Sequence, residues 1–213
     1  QIAAFGATGD PRTGESFVLA PIQLSGYVMA WLAGAMILTM PLIIGYLTPA
    51  YGPSLRTACL QVVGNCILFT IPVGANYLLS INQQWKLFVL LGSAIICEMV
   101  LVSTFVRTEW GIEGAASAVL VSDVLFSAAV AFSCFRPFRR GLLAPIGAVA
   151  LCFLPFVLCL PVALWLQTEN RLTGVLYWDG LRFLGIGTVY VLVSGVLCLS
   201  ASRVTGVLDH PFL

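Results

Sequence analysis

Two carboxylates stand where hydrocarbon is expected. Asp123 lies near the middle of WGIEGAASAVLVSDVLFSAAVAFSCF, Trp110 to Phe135, and Glu98 lies in the preceding apolar run, Trp85 to Val106. At 1.5 Å per helical residue, Glu98 is about 18 Å beyond Lys86, and Asp123 is at a similar depth from either end of its run. A charged group at mid-bilayer costs at least ~2.5 kcal/mol unless it is paired, protonated or hydrated. A carboxyl group held neutral by its low-dielectric surroundings and titrated when water reaches it is what a proton- or cation-coupled step requires. The plainer alternatives are a protonated carboxyl hydrogen-bonded within a bundle, or two acids sharing one proton. Asp123 is the stronger candidate: Ser127 follows it one turn later, whereas Glu98 has apolar neighbours at those offsets.

A second set of polar residues recurs on one helical face. Gln61, Asn65, Pro72 and Asn76 follow one another at intervals of four, seven and four residues, which keeps them in line. Amides facing lipid are costly, so this face is predicted to turn toward protein or a water-filled cavity. Hydrogen bonds between helices, worth about 1 kcal/mol or less each, are the plainer reading. Three amides in one stripe exceed what packing needs, and a cavity wall for a polar head group such as a sugar or a pyrophosphate fits them better.

Signatures of covalent chemistry are absent. The chain holds no HExxH, no Ser/His/Asp set, no metal-ligand cluster and no phosphate-cradling glycine loop, so neither a metal nor another cofactor is expected. GLRFLGIGT, from Gly180 to Thr188, sits in an apolar run with no strand before it. The seven cysteines form no CxxC and fall almost entirely within apolar runs, as small buried hydrophobes do. His210 has no ligand partners in spacing.

These residues are carried by elements that composition alone identifies. Of 213 residues 60% are hydrophobic and only 9% charged, and the mean hydropathy is +1.01. Soluble domains carry about a quarter charged residues, so the solvent here is lipid. The net charge of +1 offers nothing to a nucleic acid. The runs are long and continuously apolar, which predicts helices rather than a barrel. The fold class is therefore all-α, a polytopic membrane bundle of about six helices. The spans are predicted near Gly26 to Leu47, Leu55 to Ser80, Trp85 to Val106, Gly111 to Phe135, Leu142 to Leu166 and Leu181 to Ser200. Residues 1–24 read as a loop (GATGDPRTGES) and an amphipathic lead-in merging into the first span, 25–203 as the bundle, and 204–213 as a tail.

Loops are short, which makes sequential spans antiparallel neighbours. Arg12, Lys86, Arg136, Arg139, Arg140 and Arg203 fall on one side; Arg56, Arg107 and Arg171 fall on the other, with Arg182 near its edge. The positive-inside rule then puts both ends of the segment in the cytoplasm. Trp85, Trp110, Trp165 and Trp178 stand near span ends, as an interfacial aromatic belt requires. Pro41, Pro72, Pro145, Pro155 and Pro161 fall within spans; Pro72, with polar residues around it, is the one whose kink also suits a moving helix. Gly111, Gly114, Ala115, Ala116 and Ala118 offer a small-residue surface for close helix packing.

From Pro41 to Phe135 the chain resembles the polysaccharide (O-antigen) flippase branch of the multidrug, oligosaccharidyl-lipid and polysaccharide exporter superfamily. The matching pieces are PLIIGYLTPAYGPSLR with Gly45, Tyr51 and Ser54, NYLLSINQQWK, and RTEWGIEGAASAVLVSDVL with Gly111, Ile112, Gly114, Ala115, Ala116 and Ala118. The resemblance implies two six-helix lobes around a central cavity, this chain supplying the C-terminal lobe and an N-terminal lobe being its missing partner; a first residue that is not Met fits a piece of a longer protein. It implies alternating-access flipping of a polyprenyl-diphosphate-linked saccharide across a bacterial inner membrane, coupled to an ion gradient, with no enzymatic step. Arg56 is the one candidate cation for the pyrophosphate. Alternatives are a multidrug or peptidoglycan-precursor exporter of the same superfamily and, in another class, a membrane-embedded glycan polymerase or ligase. Against the enzyme stands the outer loop from Gln167 to Asp179, short for a catalytic loop. A membrane scaffold is a third reading, opposed by the mid-span acids.

Overall fold

Backbone groups left unpaired in hydrocarbon cost several kcal/mol each, so long apolar runs fold into helices that satisfy themselves. The computed structural model describes residues 11–107, 110–138, 143–169, 174 and 176–205, and it is helical through every apolar run. Helix α1 spans Pro11–Leu42 and widens into a π-helical turn, Ile43–Leu47; a 3₁₀ stretch, Pro49–Ser54, leads to α2, Leu55–Leu68. Then follow α3 (Ile71–Ser80), α4 (Gln84–Val106), α5 (Gly111–Phe135), α6 (Leu143–Glu169) and α7 (Leu176–Thr205). No strand occurs among the described residues. Six helical stretches are long and apolar enough to cross a membrane, and the shortest, Gln84–Val106, has 23 residues. That is about 34 Å of helix against roughly 30 Å of hydrocarbon. The chain is an all-α, multi-pass membrane protein.

The expected loop before the first span is corrected in part. From Pro11 onward the chain is already helical, and the lead-in merges into α1 without a break. Pro11 takes the first helical position, where its missing N–H costs nothing, so the turn-forming residues start the helix instead of delaying it. Residues 1–10, Arg139, Arg140, Arg171 and the tail with His210 lie outside the described residues.

The second span is two helices. Pro72 has no N–H to offer the Leu68 carbonyl and its ring crowds the preceding turn. The chain answers with a tight turn, Phe69 N–H bonding the Asn65 carbonyl at 3.0 Å and Thr70 N–H the Ile67 carbonyl at 3.0 Å. By contrast α6 runs unbroken through Pro155 and Pro161.

Side-chain contacts fix the direction of each span. Gly26 abuts the Cys152 carbonyl, and Gln167 reaches the Ile37 carbonyl at 3.5 Å, so α1 and α6 are parallel. Arg56 meets Glu113, Gly64 meets Asp123, and Cys134 reaches the Gly74 carbonyl, so α2–α3 runs parallel to α5. Ser122 bonds the Ala94 carbonyl and Phe105 packs edge-on against Trp110, which makes α4 antiparallel to α5. Tyr190 bonds the Trp31 carbonyl at 3.0 Å and Tyr46 bonds Asp179 at 2.5 Å, which makes α7 antiparallel to α1. Spans therefore alternate in direction, and Lys86, Arg136 and Arg203 share one end of the bundle.

Two apolar cores hold the helices. One gathers Ala30, Ala33, Ile37, Val62, Phe156, Cys159 and Tyr190 from α1, α2, α6 and α7. The other gathers Ile22, Tyr77, Leu78, Val130, Phe135 and Cys152 from α1, α3, α5 and α6. Between them α5 passes Ser122, Asp123 and Ser127 through the bundle interior. Helix α4 has no buried residue and lies on the outside against α5. All four tryptophans at span ends are exposed, as an interfacial belt demands.

Candidate functional site

Asp123 is at the midpoint of α5, and its side chain is only 8% exposed. It faces Gly64 of α2, where a Cβ atom would stand 2.6 Å from Oδ2. Glycine at 64 therefore makes the room the carboxylate occupies. One residue earlier, Ser122 donates to the Ala94 carbonyl at 3.2 Å and pins α5 to α4. One turn later Ser127 is 3% exposed, and its Oγ has no hydrogen-bond partner. That hydroxyl lines a cavity of about 10 Å³, shared with Thr70, Ile71 and Gly74 at the helix break and with Ile22, Cys152 and Phe153. Such a space admits about one water molecule.

Glu98 is half-buried on α4 and lies within electrostatic reach of Asp123. The two carboxyls are not hydrogen-bonded to each other, and neither has a hydrogen-bond partner among the described residues. The fold thus brings the two predicted acids into one region without making them share a proton.

The amides keep their line across the helix break. Gln61 is half-buried, whereas Asn65, Pro72 and Asn76 are exposed, and none of the three amides has a partner among the described residues. The residues of α2–α3 that bind the bundle are instead Cys59, Val62, Val63, Gly64, Cys66, Ile67, Gly74, Tyr77 and Leu78. Hydrogen bonding between helices of this bundle is therefore not what the amides do. They are the polar part of an outward surface that also exposes Phe69 and Leu79, whereas the outward face of α4 presents Phe88, Val89, Ile96 and Met99.

Arg56 stands at the far end of the same span. Its guanidinium pairs with Glu113 of α5 at 3.1 Å, with both side chains well exposed. The pair borders an open cleft of about 730 Å³ lined also by Ser54, Thr57, Trp110 and Ser117. The cation proposed for a pyrophosphate thus has its charge already matched, though an exposed pair of this kind is worth only about 0–1 kcal/mol and yields readily to a stronger anion. Glu113 was not foreseen; its signal is its place in the first turn of α5, where the helix dipole favours an acid.

Asp179 was missed altogether. It is 1% exposed, and its Oδ2 accepts from Tyr46 at 2.5 Å and from the Gly174 N–H at 3.2 Å. Nothing at a separation of 133 residues marks such a partner in the sequence. The bond fastens the end of the first span to the start of the last.

Five of the cysteines are buried and two half-buried, all as free thiols. Cys159 and Cys198 meet between α6 and α7 with their sulfurs 3.4 Å apart. Among the described residues no three His, Cys, Asp or Glu side chains converge to hold a metal. Comparison of the chain with protein-family models, with curated proteins and with solved structures gives no match.

Proposed function

We propose that this bundle is one lobe of a transporter that carries the polar head of a lipid-linked saccharide across the membrane, without covalent chemistry. The observation that carries the reading is the amide row of α2–α3, with Asn65 and Asn76 exposed and Gln61 half-buried. An unpaired amide against hydrocarbon is unfavourable, so this face calls for water or a polar surface, and an aqueous cavity shared with a second lobe supplies both. Directly behind the row, Asp123 is shielded by Gly64 and backed by the unpartnered Ser127. A cavity that fills and empties would expose this carboxyl to water in one state and withdraw it in the other, which is how a titrating group couples to transport. The choice of a polyprenyl-diphosphate-linked saccharide as cargo, and of a bacterial inner membrane, rests on the resemblance of residues 41–135 to polysaccharide flippases.

The test replaces Asp123→Asn in the full-length protein and follows surface polysaccharide in cells lacking their own flippase. Export is expected to fall about tenfold or more, equivalent to ~1.4 kcal/mol or more of lost coupling, at unchanged protein level. Undiminished export would remove Asp123 from the mechanism.

A further inference from the structure

At the basic end of the bundle the start of α4 and the end of α5 enclose a cleft lined by Lys86, Phe132, Ser133, Arg136 and Pro137. Its free volume is about 380 Å³. Lys86 and Arg136 are both exposed, and neither has an acidic partner among the described residues. At the opposite end of the bundle Arg56 is answered by Glu113, and Arg107 stands without a second cation among the residues lining its cleft. The Ser133 hydroxyl is already given to the Ala129 carbonyl at 2.8 Å, so the two cations are the groups left to recognise a ligand. Beside them Trp85 stands exposed at the level where the aromatic belt meets the head groups. Beyond the cleft, the outer face of α4 exposes Phe88, Val89, Leu91, Ile95 and Ile96, with Ser93 among them turning its hydroxyl to the Leu90 carbonyl. A paired cationic seat above an apolar wall has the charge pattern of a lipid with a negative head group.

We infer that this cleft seats the phosphate of an anionic membrane lipid, with the acyl chains along α4. Lys86 and Arg136 neutralise the phosphate, and Trp85 sets its depth. The residues lining the site belong to α4, α5 and the turn after it, and none belongs to the amide row, so it stands independently of the transport reading.

Native mass spectrometry of the purified chain, titrated with phosphatidylglycerol and with phosphatidylcholine, tests the inference. Phosphatidylglycerol is expected to remain bound under activation that strips phosphatidylcholine. Lys86→Gln and Arg136→Gln should each weaken its retention about fivefold, the worth of one basic residue at an anionic surface. The charge-conserving pair Lys86→Arg and Arg136→Lys should keep it, and Arg107→Gln at the opposite end should leave it unchanged. Equal retention of the two lipids, or phosphatidylglycerol binding untouched in the double glutamine variant, would overturn the site. Displacement of the lipid by inorganic phosphate at matched concentration would overturn it too, because the seat would then serve a free anion.

Discussion

The Asp123 carboxylate rests against the backbone of Gly64, so close that a methyl group there would stand 2.6 Å from Oδ2. Gly64→Ala therefore drives the carboxylate out of its place between α2 and α5. Overpacking of this kind costs about 1–3 kcal/mol, and the variant should melt earlier in detergent and lose export along with Asp123→Asn. Gly92→Ala, on the exposed α4 with nothing near its new methyl, is the control and should export as the unaltered protein does and melt no earlier, since alanine favours the helix. Thermal unfolding of the two variants, with export measured in parallel, checks both halves of the prediction.

Tyr46 and Asp179 fasten the first span to the last through a 2.5 Å hydrogen bond. Removing the phenol with Tyr46→Phe should lower the melting midpoint by a few degrees. Asp179→Asn should lower it further, because Asp179 also accepts from Gly174. The double variant should lose less than the two losses added together, since contacting residues are not additive. Strict additivity in thermal melts would show that the two side chains do not meet.

The Cys159 and Cys198 thiols, 3.4 Å apart between α6 and α7, offer a check on the packing of the last hairpin. In a chain whose other five cysteines are replaced by alanine, copper-phenanthroline should oxidise the pair to a disulfide. Cleavage in the connection between the two helices then leaves fragments that separate only after reduction. Fragments that part without reductant would contradict the placement of α7.

Much of this architecture was legible in the sequence because lipid leaves the chain few choices. A run such as Gln84–Val106 can only be a helix, and Pro72 in the middle of a span broke it for the reason the residue type implies. The mid-span acid on α5 and the amide row on α2–α3 were equally visible, since polar groups are conspicuous against an apolar background. What was hidden depended on which faces meet. Nothing local tells that Gly64 lies opposite Asp123, that Arg56 is answered by Glu113, or that Asp179 turns inward to Tyr46. The residues before the first span misled in the other direction. Gly, Pro, Asp and Ser read as a loop there, yet from Pro11 the chain is helix, because proline in the first turn begins a helix as readily as it interrupts one.

The central claim is that the amide row faces water while the outer face of α4 meets lipid. Labelling with a charged, membrane-impermeant maleimide tests it most directly, in a chain whose seven native cysteines have been replaced and in intact membranes opened from either side. Asn65→Cys and Asn76→Cys are expected to react, and Val89→Cys and Ile96→Cys, equally exposed on the bundle surface, are expected to stay unlabelled. Were positions 65 and 76 as unreactive as 89 and 96, the amide row would be sealed from water, and the account of a polar transport cavity would be contradicted.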